Sequence, residues 1–222
     1  MAAILRQRLT SYKRQHSVLS VTQPLYFWFE FASTYSYVTA MRIEAEAEKY
    51  GVHVIWKPFL LGPIFAKQGW NTSPFNIYEA KGRYMWRDLE RLCAKHQLPL
   101  HPSVLTGIKP FPQNGLLAAR VALAALQQDW GEAFCRQVFA AQFAHGLDIA
   151  EPDVVAKCIE EVGGDAEAYM AAAKEEEWKQ TLRRRVEEAQ HLGIFGAPSL
   201  VVGEELFWGD DRLQDALDWA CS

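Results

Sequence analysis

The sequence predicts an α/β protein in which a small sheet domain is interrupted by a large helical block. Three observations carry this expectation. An aromatic run at 25–29 stops at a turn and opens a helix. Helical patterning then fills roughly 120 residues, and strand-like composition returns only at 199–202 and 206–208.

A chain of 222 residues, half of it apolar and with eight tryptophans, can bury a full core as one domain or as one domain with an insertion. The net charge of -4 is too small for a nucleic-acid surface, and no aromatic-basic motif lies beyond the first twenty residues. No apolar segment approaches the roughly twenty residues that cross a bilayer, so a cytoplasmic protein without membrane insertion is expected. Cys93, Cys135, Cys158 and Cys221 lack the spacing of a zinc site or a C-x-x-C pair and read as free thiols; no metal centre is expected.

Taken in order, Arg6, Arg8, Lys13, Arg14 and His16 occur with no acid before Glu30, which makes 1–23 a basic extension, read as an accessory helix or arm. Leu25 to Phe29, bounded by Pro24, suits a buried strand. Ser33 and Ser36 then open an amphipathic helix in which Val38, Met41, Ile43 and Ala45 mix with acids and Lys49 until Gly51 stops it. Residues 52–56 form a second strand, parallel to the first. Pro58, Gly62, Pro63, Gly69 and Pro74 mark a loop. Helices are expected over 77–96, 116–126, 130–143, 151–162, 166–173 and 175–192. Residues 203–205 turn a hairpin between the last two strands, and Asp210 or Asp211 caps a final helix. The sheet domain thus spans 24–60 and 193–222, and the insertion 61–192.

Two places carry chemistry. A hydroxyl at a strand-to-helix junction, as at Ser33, lies beside the unpaired N–H groups of the first helical turn and can hold an anion; helix capping alone also explains it. Pro198 stands immediately before a buried strand. Either its bond is cis and turns the Ala197 backbone outward to pair with an extended peptide, or it is trans and ends the preceding helix.

The order of elements, Ser33-Thr34-Tyr35-Ser36 after strand one, Gly196-Ala197-Pro198 before strand three, and Phe207-Trp208-Gly209-Asp210-Asp211-Arg212-Leu213 before the last helix resemble the DsbA-type thioredoxin superfamily. More narrowly, they are similar to 2-hydroxychromene-2-carboxylate isomerases and kappa-class glutathione transferases. The resemblance covers about residues 24 to 220. It implies a thioredoxin-like fold of DsbA type with a helical insertion, glutathione in the cleft between them, and a serine in place of the redox cysteine. Carried over, the serine is Ser33, the peptide-pairing residue is Ala197 before Pro198, and the γ-glutamyl clamp is Asp210 and Asp211. The chain departs from the pattern at Thr34, where the family usually has proline, and at Asp210, where an amide or small polar residue is often found.

Disulfide exchange requires a thiolate, which neither Ser33 nor Ser36 supplies. A serine hydroxyl can instead donate to the glutathione sulfur. Lowering a free thiol by about two units from its usual 8.5, roughly 2.7 kcal/mol, makes it mostly thiolate at neutral pH. The resemblance implies that this sulfur adds to an aromatic substrate, allows rotation about a former double bond and leaves again, so that glutathione is recycled. The expected partner is a small aromatic carboxylate, which needs a cation or amides; Asn71, Lys81, Tyr84 and Asn114 are the candidates, with Trp70, Phe75 and Trp86 as an aromatic wall. A homodimer is left open. The alternatives are a kappa-like glutathione transferase and a non-catalytic thioredoxin-fold binding module.

Overall fold

Five apolar residues, Leu25–Phe29, form β1, which lies inside a four-stranded sheet of order β2-β1-β3-β4. The computed structural model describes residues 22–106 and 110–222; the basic segment from Arg6 to His16 lies outside them. β2 (Val54–Pro58) runs parallel to β1, with Leu25 opposite Val54 and Phe29 opposite Pro58. β3 (Ser199–Val202) is antiparallel on the other side, and β4 (Glu205–Trp208) completes the hairpin. The second strand lies two residues later than its composition suggests. As an edge strand it can end in Pro58, which has no N–H to offer a further neighbour.

Side chains alternate across β1, and each face enters a different cluster. Leu25, Phe27 and Phe29 join the larger core; Trp28 joins the smaller one with Phe59, Ile64, Val186 and Val201. Insertion and sheet share the larger core. Phe29 and Phe31 meet Phe139 at 5.7 and 5.1 Å between ring centroids, and Tyr37 stacks on Phe143 at 4.9 Å. Fully buried rings of this size contribute about 2 kcal/mol each, so these contacts fix the insertion against the start of the first helix.

The single helix expected after Ser33 is two: α1 (Thr34–Ala40) and α2 (Ile43–Tyr50), the second closed by Gly51 in the left-handed region at φ 64°. The break has a tertiary cause. Thr39 Oγ1 lies 3.1 Å from the Tyr35 carbonyl one turn back and 2.9 Å from Asp210 Oδ1, and Arg42, at the junction, pairs with the same carboxylate at 3.2 Å.

The proline- and glycine-rich stretch after β2, expected as loop, contains two short helices, α3 (Gly62–Lys67) and α4 (Pro74–Ile77). Each carries proline in its first turn, where the missing N–H is harmless. α5 (Glu79–His96), α6 (Pro102–Leu105), α7 (Leu116–Ala125), α8 (Gly131–Phe139), α9 (Pro152–Glu161), α10 (Ala166–Ala172) and α11 (Glu176–His191) follow. α8 runs into a π-helical turn at Ala140–Ala144. The last helix, α12 (Leu213–Ala220), is preceded by a 3-10 turn at Asp210–Arg212. Neither Asp210 nor Asp211 caps it, because both lie inside that turn and bond elsewhere.

Candidate active site

β1 ends at Phe29, and the chain turns through Glu30, Phe31 and Ala32, with the Ser33 N–H bonded to the Glu30 carbonyl at 3.0 Å. Ser33 has extended backbone angles (φ -81°, ψ 120°), and its Oγ accepts from the Ser36 N–H at 3.1 Å, capping α1. Thr34 takes the first helical position without disturbing that cap. The Ser33 hydroxyl proton goes across the fold to the Ala197 carbonyl at 2.9 Å.

The segment carrying Ala197 is held from both sides. Ser199 Oγ donates to the Gly196 carbonyl at 2.9 Å, and the Gly209 N–H donates to the Pro198 carbonyl at 3.0 Å. The Ala197–Pro198 bond is cis. The Ala197 N–H finds no acceptor among the described residues. A side chain at Gly196 would collide with the Trp208 indole, so the close approach of loop and ring requires glycine here.

Ser33 and Ala197 open onto a cavity of about 670 Å³, within the range of small-molecule sites. Aromatic rings line it in pairs: Phe65 with Trp70 at 5.8 Å, Tyr35 with Phe75 at 6.3 Å, and Phe195 with Trp208 at 5.0 Å. Phe195 and Trp208 are each 47% exposed and form its rim. Lys81 also lines the cavity. Its Nζ sits 5.8 Å above the Phe75 ring and has no carboxylate partner among the described residues, so its charge is available to a ligand.

Two further polar groups reach the wall. The Tyr35 hydroxyl donates to Asp88 Oδ2 at 3.1 Å; burial, with the Asp88 charge, raises its pKa and keeps it protonated. Glu30 accepts the Leu61 N–H at 3.2 Å, and burial pushes its carboxyl up to about 7 despite that bond. The sequence reading missed Glu30, Phe65, Phe195 and Trp208 as site residues. The available signal for Glu30 was a lone acid at the end of an apolar run, three residues before Ser33.

The expected site residues separate into two groups. Ser33, Ala197, Asn71 and Lys81 meet at the cavity, with Trp70 and Phe75. Tyr84 does not: it is 60% exposed on α5. Asn114 uses its side chain to accept the Leu116 N–H at 3.0 Å at the start of α7. Trp86 lies behind the wall, edge-on to Phe111 at 4.8 Å. Asp210 is 3% exposed and is taken up by Thr39 and Arg42, and Asp211 is paired with Arg212 at 3.0 Å. Neither acid lines the cavity; they border a smaller pocket with Arg42, Lys95 and His96.

A profile of the DSBA-like thioredoxin domain matches residues 25–218. The chain belongs to the DSBA-like thioredoxin family. Within that family it is similar to a 2-hydroxychromene-2-carboxylate isomerase of Sphingobium xenophagum, at 29% identity over 87% of this chain and 95% of the relative. Its fold matches the structure of a 2-hydroxychromene-2-carboxylate isomerase with a TM-score of 0.75 at 22% identity, covering 89% of this chain and 95% of the other. It also matches the cytosolic disulfide reductase DsbM of Pseudomonas aeruginosa, solved with GSH, with a TM-score of 0.62 at 21% identity, covering 89% and 95%.

For a member of the DSBA-like family, the chain places its thiols away from the junction that bears Ser33. All four cysteines are free, and none lines the cavity. Burial pushes Cys93 up to about 11 and Cys158 to about 12, and raises Cys135 as well, so these three are held as thiols. Among the described residues no helix is long and apolar enough to cross a membrane.

Proposed function

We propose that the protein is a glutathione-dependent isomerase of 2-hydroxychromene-2-carboxylate or a similar aromatic ring-cleavage product. The observation that carries this reading is one cavity lined by Ser33, by Ala197, whose N–H has no acceptor among the described residues, by tilted aromatic pairs, and by Lys81, which has no carboxylate partner among them. The names of the curated relatives support the reaction, and the GSH in the DsbM structure supports the ligand.

The residues present fit glutathione. Ala197 offers an N–H to an extended peptide, and the Ser33 hydroxyl stands next to it with a proton that can be redirected. Bound glutathione supplies a thiolate that adds reversibly to the substrate's conjugated double bond, leaving a single bond free to rotate. Ser33 gives up the Ala197 carbonyl and donates to the sulfur, which favours the charged form. Because α1 is only seven residues long, the hydroxyl carries more of this effect than the helix dipole does. Lys81 receives the substrate carboxylate, the aromatic pairs hold its ring, and the apolar wall keeps water away.

Incubation with glutathione and 2-hydroxychromene-2-carboxylate tests the reading. Isomerised product with glutathione undiminished is expected. A stoichiometric conjugate would make the protein a kappa-like transferase, and the absence of saturable glutathione binding would make it a binding module.

A further inference from the structure

Glu30 is a carboxyl group lining the candidate cavity, with no cation paired to it among the described residues. Its only hydrogen bond among the described residues is the one it accepts from the Leu61 N–H, and it makes no ion pair. A carboxylate kept merely to satisfy one N–H is an expensive choice, since an amide oxygen does the same without bringing a charge into a partly buried wall. Among the described residues, the titratable groups that share the cavity with it are Tyr35 of α1 and Lys81 of α5. Among the neighbouring elements, Lys57 of β2 is turned to Glu188 of α11 at 3.6 Å, and Lys67 of α3 to Gln190 of α11. Burial therefore sets the titration of Glu30, without a charge partner, and brings it to about 7.

We infer that Glu30 is the proton donor and acceptor of the isomerisation, giving a proton to the substrate oxygen on which charge gathers and taking it back as the double bond re-forms. The inference rests on the isomerase reading above. When a nucleophile bonds to the far carbon of a conjugated carbonyl, the displaced π pair comes to rest on the carbonyl oxygen. The Glu30 O–H bond then breaks, an O–H bond forms on that oxygen, and the negative charge passes to the Glu30 carboxylate. After rotation the same proton returns, the carbonyl and the double bond re-form, and the nucleophile leaves with its electron pair. Nothing is oxidised and no proton is consumed.

Ser33 and the titratable groups of the described wall other than Glu30 have other tasks. Ser33 is needed at the sulfur, Lys81 at the carboxylate, and the Tyr35 hydroxyl is bonded to Asp88. Glu30 is the one carboxyl lining the cavity among the described residues, and burial brings it to about 7, where a proton can be given and taken back near neutrality. It must begin protonated. That state also spares the cavity a fixed negative charge that would repel both a thiolate and a carboxylate.

Glu30→Gln keeps an oxygen for the Leu61 N–H and removes only the titration. Two measurements decide the matter. In the ligand-free protein, the infrared carboxyl difference between wild type and variant should show one acid that ionises near pH 7; a difference whose acid is already ionised at about pH 5.5 would overturn the inference. With glutathione and 2-hydroxychromene-2-carboxylate, turnover should fall about 100-fold or more in the variant, while calorimetric glutathione affinity at about pH 6 stays within roughly twofold. Wild-type turnover should decline above about pH 7, and that limb should vanish in the variant. Equal turnover with an unchanged profile would overturn the role of Glu30 while leaving the isomerase reading in place. A wild type without glutathione-dependent turnover would overturn both. Should the variant fail to fold, the infrared titration is read in Glu132→Gln, which removes the other carboxyl raised to about 7, and that titration with the wild-type pH profile decides.

Discussion

The Ser33 hydroxyl and the Ala197 carbonyl, 164 residues apart in the chain, are joined by a hydrogen bond of 2.9 Å. It closes the gap between the start of α1 and the loop before β3, the same gap in which a peptide would pair with the Ala197 backbone. On the proposed reading one proton has two destinations, a carbonyl in the free protein and the glutathione sulfur in the complex. The proposed ligand would then take over a contact that already exists, with little of the site to reorganise.

Lys81 should govern the substrate and leave glutathione alone. Replacing it with Met removes the one cation that lines the cavity among the described residues, a charge-assisted contact worth about 1.5–3 kcal/mol. The expected outcome in steady-state kinetics is a KM for the aromatic carboxylate raised about tenfold or more, with the glutathione dissociation constant unaltered. Lys81→Arg should recover part of the loss. An equal effect on both ligands would place the substrate carboxylate elsewhere.

The two adjacent acids should behave differently. Asp210 is a buried member of a pair with Arg42, so Asp210→Ala strands a cation and should destabilise the fold by roughly 3 kcal/mol, seen as a lower denaturation midpoint. Asp211 is exposed, so Asp211→Ala should change stability by less than about 0.5 kcal/mol. If the glutamyl ammonium rests on Asp211, the same variant should weaken glutathione about tenfold by calorimetry; unaltered affinity would move that contact off the turn.

Stability should record Glu30 independently of activity. Its folded pKa of about 7 exceeds the ordinary 4.5, so the folded state retains a proton that the unfolded state releases. The associated stability is complete below about pH 4.5 and is lost as pH rises through 7. Glu30→Gln should therefore gain on wild type in urea melts between about pH 5 and pH 8, by a ceiling of roughly 3 kcal/mol. A pH-independent difference would contradict this assignment.

What was legible in the sequence were the elements with strong local signals. The aromatic run of β1, the serine at its turn and the hairpin of β3 and β4 are each bounded by glycine, proline or acids, and each stands where its composition puts it. The break between α1 and α2 was hidden because Arg42 is held by a carboxylate 168 residues away. The helices in the proline-rich stretch were hidden because proline is as much at home in a first turn as in a loop. Within the site, Ser33, Ala197 and Lys81 lie at the cavity, whereas Asp210 and Asn114 are spent on the fold. Nothing local separates Asp210 from Asp211; burial beside Arg42 does. Glu30 was passed over for a similar reason, since its character comes from a wall that only the folded chain builds.

The central claim is most directly tested by titrating the thiol of protein-bound glutathione, followed by its thiolate absorbance, in wild type and in Ser33→Ala. Loss of the cap and the Ala197 bond should cost the variant about 1–2 kcal/mol and leave the fold intact. The bound thiol is expected near pH 6.5 in wild type and close to the free value of about 8.5 in the variant. The same pKa in both proteins would contradict a serine that holds the sulfur ionised.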